Sequence, residues 1–560
     1  MIKSASILIS LSLCLLVSYG QQWGDYTFYS IQHSSSAQLI DTNGTNYHSW
    51  SFSSSDKTGY SSYLLQGGTV LRTVARQGNS FNGGAMCGQV QKVDWDGNVL
   101  WDYICSTTTY CSHHDIHPMP NGNVLLIVYE LKGSSEVTQA GCKWAHTMWP
   151  DMILEVQAVG ESGGNIVWEW HAWDHLVQDY DATKDNYGVV ADHPELLDIN
   201  YNNSPNTKDW MHVNGIDYNE TLDQIVISSH FLNELYVIDH STTTEEAAGH
   251  SGGNSGKGGD ILYRWGNPAA YDAPGSKIFN VVHDAHWIPP GYQKAHSLVG
   301  FNNHGISNNQ SSVDIITPPY DGYNYEYTPG DAYAPSSYTW RHACNGHTNN
   351  EGGCQNLPNG NILVCITQAG FIYEVDSNST MLWSKNLTGG SSNARRYSRC
   401  YVEGTLITAP TITQLGESLI SSYGVTYQWY LNSIPITGET EQVIIPSYSG
   451  NYQVKITDVG ECESELSEPY NFEMTRISEH NENISLNIYP VPTQGLISLD
   501  DDVSVEDIKE IRIFDQSGRM VFRSTPQRLI NLSSLDNGIY FLVAPGSLNL
   551  IYTAKIIIIK

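Results

Sequence analysis

The stretch Val90-Gln91-Lys92-Val93-Asp94-Trp95-Asp96-Gly97-Asn98-Val99-Leu100-Trp101 decides the fold. Val90 to Asp94 read as a strand, Asp96-Gly97-Asn98 offers the positive φ that a tight β turn requires, and Val99-Leu100-Trp101 starts the return strand. The same grammar recurs at residues 38–50, 153–168, 235–265 and 372–383, each ending in tryptophan, and in a weaker form at 313–327, ending in Tyr327. Six repeats of one strand-turn-strand unit predict an all-β chain whose residues 21–405 form a six-bladed β-propeller. A series of β-sandwiches or a solenoid is the competing arrangement. After Trp383 only one strand-like segment follows, around Arg395-Arg396-Tyr397, so the last strands are expected to pair with the N-terminal ones and close the ring.

Residues 1–20 place Lys3 ahead of an apolar run and end in Ser18-Tyr19-Gly20, the pattern of a signal peptide cleaved after Gly20. The run is shorter than the ~20 residues that span a bilayer, and no later segment is long enough, so no transmembrane segment is expected in the mature chain. Net charge is −31, and −32 once Lys3 is removed. A field of that sign repels nucleic acid and anionic membranes, and an anion site must supply its own local cations or backbone donors. Nine cysteines remain after Cys14 leaves with the leader. In an exported chain these are disulfide candidates, with Cys105–Cys111 and Cys344–Cys354 as the local pairs, and an odd number leaves at least one unpaired.

Composition changes after Gly404. Residues 408–473 carry Thr426-Tyr427-Gln428-Trp429-Tyr430 and Gly450-Asn451-Tyr452-Gln453-Val454, which resemble strands of an immunoglobulin-like β-sandwich, although Cys462 has no second cysteine at the usual place. Residues 474–485 read as a polar linker. The last segment, 486–560, holds Ile488-Tyr489-Pro490-Val491-Pro492, Ile511-Arg512-Ile513-Phe514-Asp515 with Gly518-Arg519, Gly538-Ile539-Tyr540-Phe541, and a terminal Lys555-Ile556-Ile557-Ile558-Ile559-Lys560. It resembles the C-terminal sorting domain of proteins exported by the type IX secretion system, a small β-sandwich. That resemblance implies the type IX secretion machinery as a partner, transit through the periplasm of a Gram-negative bacterium, and a secreted or cell-surface location.

Of 20 histidines, 19 lie at or before His347, so chemistry is sought in the repeats. His114, His212 and His283 each lie six residues ahead of Pro120, Tyr218 and Pro289, at matching places in three units, and His347 precedes Leu357-Pro358-Asn359-Gly360-Asn361. Equivalent positions of different blades face one channel. Neutral imidazoles there can bind zinc or copper, with Asp115 and Asp284 as ligands or orienting carboxylates, though no H-E-x-x-H spacing occurs. The other chemistry is anionic. A neutral imidazole attacks an electrophilic sulfur or phosphorus while protonated neighbours hold the oxygens and protonate the leaving group.

The segments Asp209-Trp210-Met211-His212-Val213-Asn214, His283-Asp284-Ala285 and Gly352-Gly353-Cys354-Gln355-Asn356-Leu357-Pro358-Asn359-Gly360-Asn361 resemble the bacterial arylsulfate sulfotransferases, over residues 30–405. The resemblance implies a six-bladed propeller that moves a sulfuryl group from an aryl sulfate to a phenol through a sulfohistidine, with no sulfonucleotide donor, no cofactor and no metal. It implies that His212 and His283 act on the sulfate and that His347 is the nucleophile, with His342 as its rival. Asn214 and Asp284 then adjoin the substrate; His114 is a further substrate-binding candidate by its repeat position alone, since the family pattern gives it no firm role. The family's arginine, soon after the His-Asp unit, is missing from Leu298-Val299-Gly300-Phe301-Asn302-Asn303-His304-Gly305, so His304 or Arg341 is expected to supply the positive charge. Trp210, Trp287 and Trp340 are candidates to stack the aryl rings. A non-catalytic surface propeller that binds glycan or protein partners is the alternative, favoured by the missing arginine.

Overall fold

A computed structural model describes residues 22–76, 78–473, 482–500, 504–516, 519–546 and 550–560; the expected signal peptide and residues 474–481 of the expected linker lie outside them. The chain is all-β, 45% strand and 6% helix. It divides into two compact units, residues 1–445 with 452–470, and 446–451 with 471–560.

Among the described residues, 26–397 of the first unit form six four-stranded antiparallel sheets, each built as an inner, second, third and outer strand. The stretch that opens the reading forms the third and outer strands of the second sheet, where Gly88–Val93 pairs with Val99–Ile104. The inner strands are Ala394–Tyr397 for the first sheet, then Thr58–Leu64, Tyr110–Pro118, Val213–Asn219, Val282–Trp287 and Gly353–Asn356. From the second sheet to the sixth each inner strand lies against the next, and Gly353–Asn356 lies against Ala394–Tyr397. The first sheet is completed across the whole repeat region, because Tyr26–Ser30 pairs antiparallel with Ala394–Tyr397, Tyr26 opposite Tyr397.

The tryptophans of the repeat tie neighbouring sheets together. The indole Nε1 of Trp50 donates to Asp94 O, that of Trp101 to Gly163 O, that of Trp168 to Thr242 Oγ1, that of Trp265 to Pro335 O, and that of Trp383 to Thr42 O, each at 2.6–3.1 Å. Every one of these bonds reaches the following sheet, and the last returns to the first. A buried indole contributes a large apolar face but needs a partner for its N–H, and one outer-strand position satisfies both demands. The fifth sheet departs from the expected register. Its outer strand is Trp340–Ala343, paired with Gln310–Ile316, and not residues 325–327, because a long excursion separates the two strands. There His342 takes the tryptophan's place, with Nδ1 2.8 Å from Ser379 Oγ and Nε2 3.1 Å from Tyr373 OH of the sixth sheet.

Following the repeats, Thr426–Leu431 pairs antiparallel with Gly450–Thr457, and the fully buried Trp429 stands opposite Val454. Cys462 finds its partner outside this segment, in Cys400 of the short helix Arg399–Glu403 that follows the closing strand. The expected local pairs do not form: Cys105, Cys111, Cys344 and Cys354 are free and buried. Cys105 and Cys111 belong to different apolar clusters, while Cys344 and Cys354 pack as small hydrophobes between the fifth and sixth sheets.

In the second unit, a five-stranded sheet and a three-stranded sheet enclose Ile497, Leu499, Ile511, Ile513, Ile530, Leu542 and Ile556. The strand Glu482–Ser485 starts inside the segment read as a linker, held by parallel pairing with Leu550–Ile558. No described helix is long and apolar enough to cross a membrane.

Candidate functional site

Four inner strands, those of the second to fifth sheets, carry a β-bulge where they pair with their second strands, at Thr58/Ser62, Ser112/Ile116, Val213/Gly215 and His283/His286. A bulge bends the strand and re-aims its side chains. His114, inside its bulge, and His212, just ahead of the bulged strand Val213–Asn219, take left-handed backbone at φ 50° and 54°; on the fifth sheet the left-handed residue is Asp284, φ 56°, one position beyond His283. The shared sequence offset therefore does not become a shared conformation. Left-handed backbone costs a non-glycine residue about 1–3 kcal/mol, and His and Asp bear it better than most side chains.

These bends gather the imidazoles into a file. Ring centroids are 5.1 Å apart for His113–His114, 4.5 Å for His114–His212, 5.0 Å for His212–His230 and 5.3 Å for His230–His283. His347 joins them through His304, with Nε2 3.1 Å from His304 Nδ1, and His304 is an electrostatic neighbour of His230. Burial, then the neighbouring imidazoles, holds His114 well below the usual histidine range, and the same causes push His230 down to about 3. Most of the cluster is thus neutral at pH 7.

His212 differs from its neighbours. Its Nδ1 lies 2.5 Å from Asp209 Oδ2, which also accepts from Tyr129 OH at 2.8 Å. With Nδ1–H committed to the carboxylate, Nε2 is left for chemistry, the division of labour in which a buried carboxylate sets the tautomer and stabilises the charge gained on protonation. Gly84 lies over this ring so closely that a Cβ on it would stand 2.6 Å from His212 Cε1. His283 has the same tautomer as His212 but not its free nitrogen. The Asn303 amide donates to Thr348 O and Glu351 O, so its Oδ1 accepts from His283 Nδ1–H at 2.8 Å, while the Glu351 N–H donates to His283 Nε2 at 3.0 Å. Both ring nitrogens of His283 are occupied in this conformation.

The other expected residues separate clearly. Asn214 is a fully buried staple, donating to Val282 O and accepting from Ser228 Oγ. Asp284 accepts from Cys354 N–H at 2.7 Å, and burial raises its carboxyl. Arg341 and His342 do not join the cluster: both sit on the outer strand of the fifth sheet, where Arg341 forks onto Asp314 with two bonds of 2.5 Å. The three tryptophans do not serve as stacking partners either. Trp210 and Trp287 are buried, with Nε1 on Tyr201 O and Tyr320 OH, and Trp340 stands on the outer strand.

Sequence reasoning missed several participants. Asp209 stands three residues before His212, a spacing that a search for an orienting carboxylate would have found. His230 and Asn303 each stand one residue beyond the last pair between the inner and second strands of their sheets, Val213 opposite Ser229 and Val282 opposite Asn302, a correspondence visible only in the pairing register. Arg395, on the closing strand, stacks 4.3 Å over Tyr63 and interacts with Asp115 and Asp284; its Nε has no hydrogen-bond partner among the described residues. It is a cation beside these two carboxylates, a place Arg341 does not take. Beside the cluster a cavity of about 310 Å³ is lined by Tyr60, Arg76, Phe81, Ala85 and Glu351, among others. Tyr60 rests on His114 at 5.0 Å, and Ala85 O accepts the His114 N–H, so this cavity adjoins the imidazole file.

The family profile for Arylsulfotransferase (ASST) matches residues 20–325, and that for a secretion system C-terminal sorting domain, of the type IX kind, matches residues 487–559. No curated protein matches the chain. Similar solved structures include a protein of unknown function from Bacteroides caccae (11% identity, TM-score 0.37, 66% of this chain and 98% of that one). Others are a streptogramin B lyase (11%, 0.31, 72% and 92%) and a periplasmic gluconolactonase from Pseudomonas aeruginosa (10%, 0.32, 80% and 96%). At these scores the likeness bears on neither fold nor activity. The family match covers more than half of the chain: this protein belongs to the arylsulfotransferase (ASST) family and carries a type IX secretion sorting domain at its C-terminus.

Proposed function

We propose that the protein is a secreted arylsulfotransferase whose six sheets are the blades of a β-propeller, followed by an immunoglobulin-like sandwich and the sorting domain. It transfers a sulfuryl group from an aryl sulfate to a phenol through a sulfohistidine. The observation that carries this reading is the file of five imidazoles in ring contact, one of them held by a carboxylate, with the His304–His347 pair in their electrostatic neighbourhood. The cavity beside them suits the donor, since Tyr60 and Phe81 offer aromatic walls and Arg76 a cation for the sulfate.

In this reading His347 attacks the sulfur with a neutral nitrogen, oriented by His304. The S–O bond to the aryl group breaks, its electron pair passes to the phenolic oxygen, and protonated His212 gives that oxygen its proton from Nε2. His212, now neutral, takes the proton of an incoming phenol as that oxygen attacks the sulfur, and the S–N bond breaks to restore His347. His283 donates to a sulfate oxygen once the Glu351 N–H has left its Nε2 and that nitrogen has taken up a proton from solvent. Secretion by the type IX route places the enzyme outside the cell or on its surface.

Rapid-quench labelling with an aryl sulfate, followed by acceptor-dependent release of a chromogenic phenol, tests the proposal. Labelled histidine should appear in the wild type and vanish in His347→Ala, and His212→Ala should lower turnover by about 10²–10⁴-fold. Full turnover in His347→Ala overturns the nucleophile assignment. Absence of any phenol release favours the binding module, to which the double engagement of His283 would then belong.

A further inference from the structure

Outside the imidazole file, a second group of ligating side chains joins the third sheet to the fourth. His175 follows the short 3-10 turn Ala172–Asp174 that ends the outer strand of the third sheet. His250 and Asp260 flank the glycine-rich connection, Ser251-Gly252-Gly253-Asn254-Ser255-Gly256-Lys257-Gly258-Gly259, between the third and outer strands of the fourth. His175 Nδ1 lies 2.9 Å and His250 Nδ1 2.7 Å from the same oxygen, Asp260 Oδ1.

The tautomer of His175 makes this arrangement informative. Its Nε2 lies 2.8 Å from Ala247 O, and a carbonyl only accepts, so Nε2 carries a hydrogen. A neutral His175 then turns the lone pair of Nδ1 toward a carboxylate oxygen, and two electron pairs face each other across 2.9 Å. Such a contact calls for a positive species between them, a proton or a metal ion. A ring whose far N–H is fixed on a backbone carbonyl is also how metal-ligating histidines are commonly oriented. The surroundings are built to hold the geometry. Trp170 stacks on His175 and its Nε1 donates to Gly259 O at 2.7 Å, while a Cβ on Gly259 would fall 1.9 Å from Ala247 O and 2.7 Å from His175 Nε2. His175 and Asp260 are buried, whereas the His250 side chain is 63% exposed and opens the group to solvent.

We propose that His175, His250 and Asp260 bind a zinc ion that clips the glycine-rich connection of the fourth sheet onto the end of the third. Two imidazole nitrogens and one carboxylate suit zinc, whereas calcium and magnesium take all-oxygen sets. Ligands at about 2.0–2.2 Å around tetrahedral zinc stand roughly 3.3 Å apart, so the nitrogens must separate from Asp260 Oδ1 by about half an ångström. The ligand atoms already lie within 4.8 Å of one another, and the exposed His250 is free to make that shift. Water completes the coordination.

The test uses the full chain, stripped with a chelator and dialysed. Calorimetric titration with zinc chloride, and with cobalt chloride followed by visible absorption, counts the sites; thermal melting with and without zinc reads the clip. We expect His250→Ala, a change at an exposed side chain, to bind one equivalent fewer than wild type, to lack the corresponding cobalt d–d bands, and to lose the zinc-dependent rise in melting temperature. Zinc uptake by His250→Ala equal to that of wild type overturns the site, because the metal then sits elsewhere, for instance on the imidazole file. No uptake by wild type at about ten micromolar zinc overturns it as well, and leaves a proton as the species between His175 and Asp260.

Discussion

Asp209 decides which nitrogen of His212 is free, and the chemistry proposed for that ring depends on the choice. An amide in its place can present an N–H to Nδ1 and favour the other tautomer. Asp209→Asn should therefore lower turnover of aryl sulfates by about 10²–10⁴-fold while leaving the circular dichroism spectrum and melting temperature near wild type. Steady-state kinetics with a chromogenic donor checks this, and a loss below threefold would remove the carboxylate from the mechanism. His114, His212 and His283 were legible because they recur at one offset, which His113 and His230 do not share. What their neighbours do to them was not. Asn303 locks His283 only through two carbonyls of the loop at 348–351, and His342 looks like a nucleophile in sequence because nothing local says that it replaces an outer-strand tryptophan.

The sheets were readable wherever the hairpin between third and outer strands is short, as at Asp94 to Asn98, and were misread in the fifth, where an excursion hides the partner strand. Strand pairing there is non-local, and a pattern-based reading settles on the nearest aromatic run. The outer-strand indoles are the joints between sheets. Trp101→Ala should cost about 3–5 kcal/mol in urea unfolding, through the lost apolar burial and the stranded Gly163 carbonyl. A second joint is ionic. Burial lowers the His240 imidazole, but the carboxylates of Asp223 and Glu155, at 2.7 and 3.1 Å, outweigh it and lift the group to about 9. The folded value lies above the unfolded one, so its stabilisation is complete below about pH 6.5 and disappears as pH rises through about 9. At about 1.4 kcal/mol per unit the ceiling is about 3 kcal/mol, trimmed by solvent because Asp223 is 35% exposed. His240→Asn should flatten the decline of unfolding free energy between about pH 6 and pH 10, and an unchanged slope would assign that decline to other groups.

Across the first unit, the Cys400–Cys462 bond ties the segment after the repeats to the helix that follows the closing strand, 62 residues apart in sequence. Tyr292 OH also donates to Val459 O at 3.1 Å, and Ser398 Oγ to Gly460 O at 2.9 Å. Cys462→Ser should therefore lower stability by about 2–5 kcal/mol, seen as a shift of the urea midpoint toward that of the reduced wild type. Equal midpoints for oxidised wild type and variant would show that the bond contributes nothing. The odd cysteine at 462 was visible in the sequence; its partner was not, since the two stand on either side of the change in composition after Gly404.

Closure of the first sheet by Ala394–Tyr397 also orders events in time. A ribosome delivers Tyr26–Ser30 at the start of synthesis and its inner neighbour only some 370 residues later. Through that interval the early strand offers an open hydrogen-bonding edge, the kind of surface that recruits the wrong chain. Truncation anywhere before Tyr397 removes the partner of Tyr26–Ser30 and should therefore yield aggregates, read by size-exclusion chromatography, in place of a smaller soluble unit.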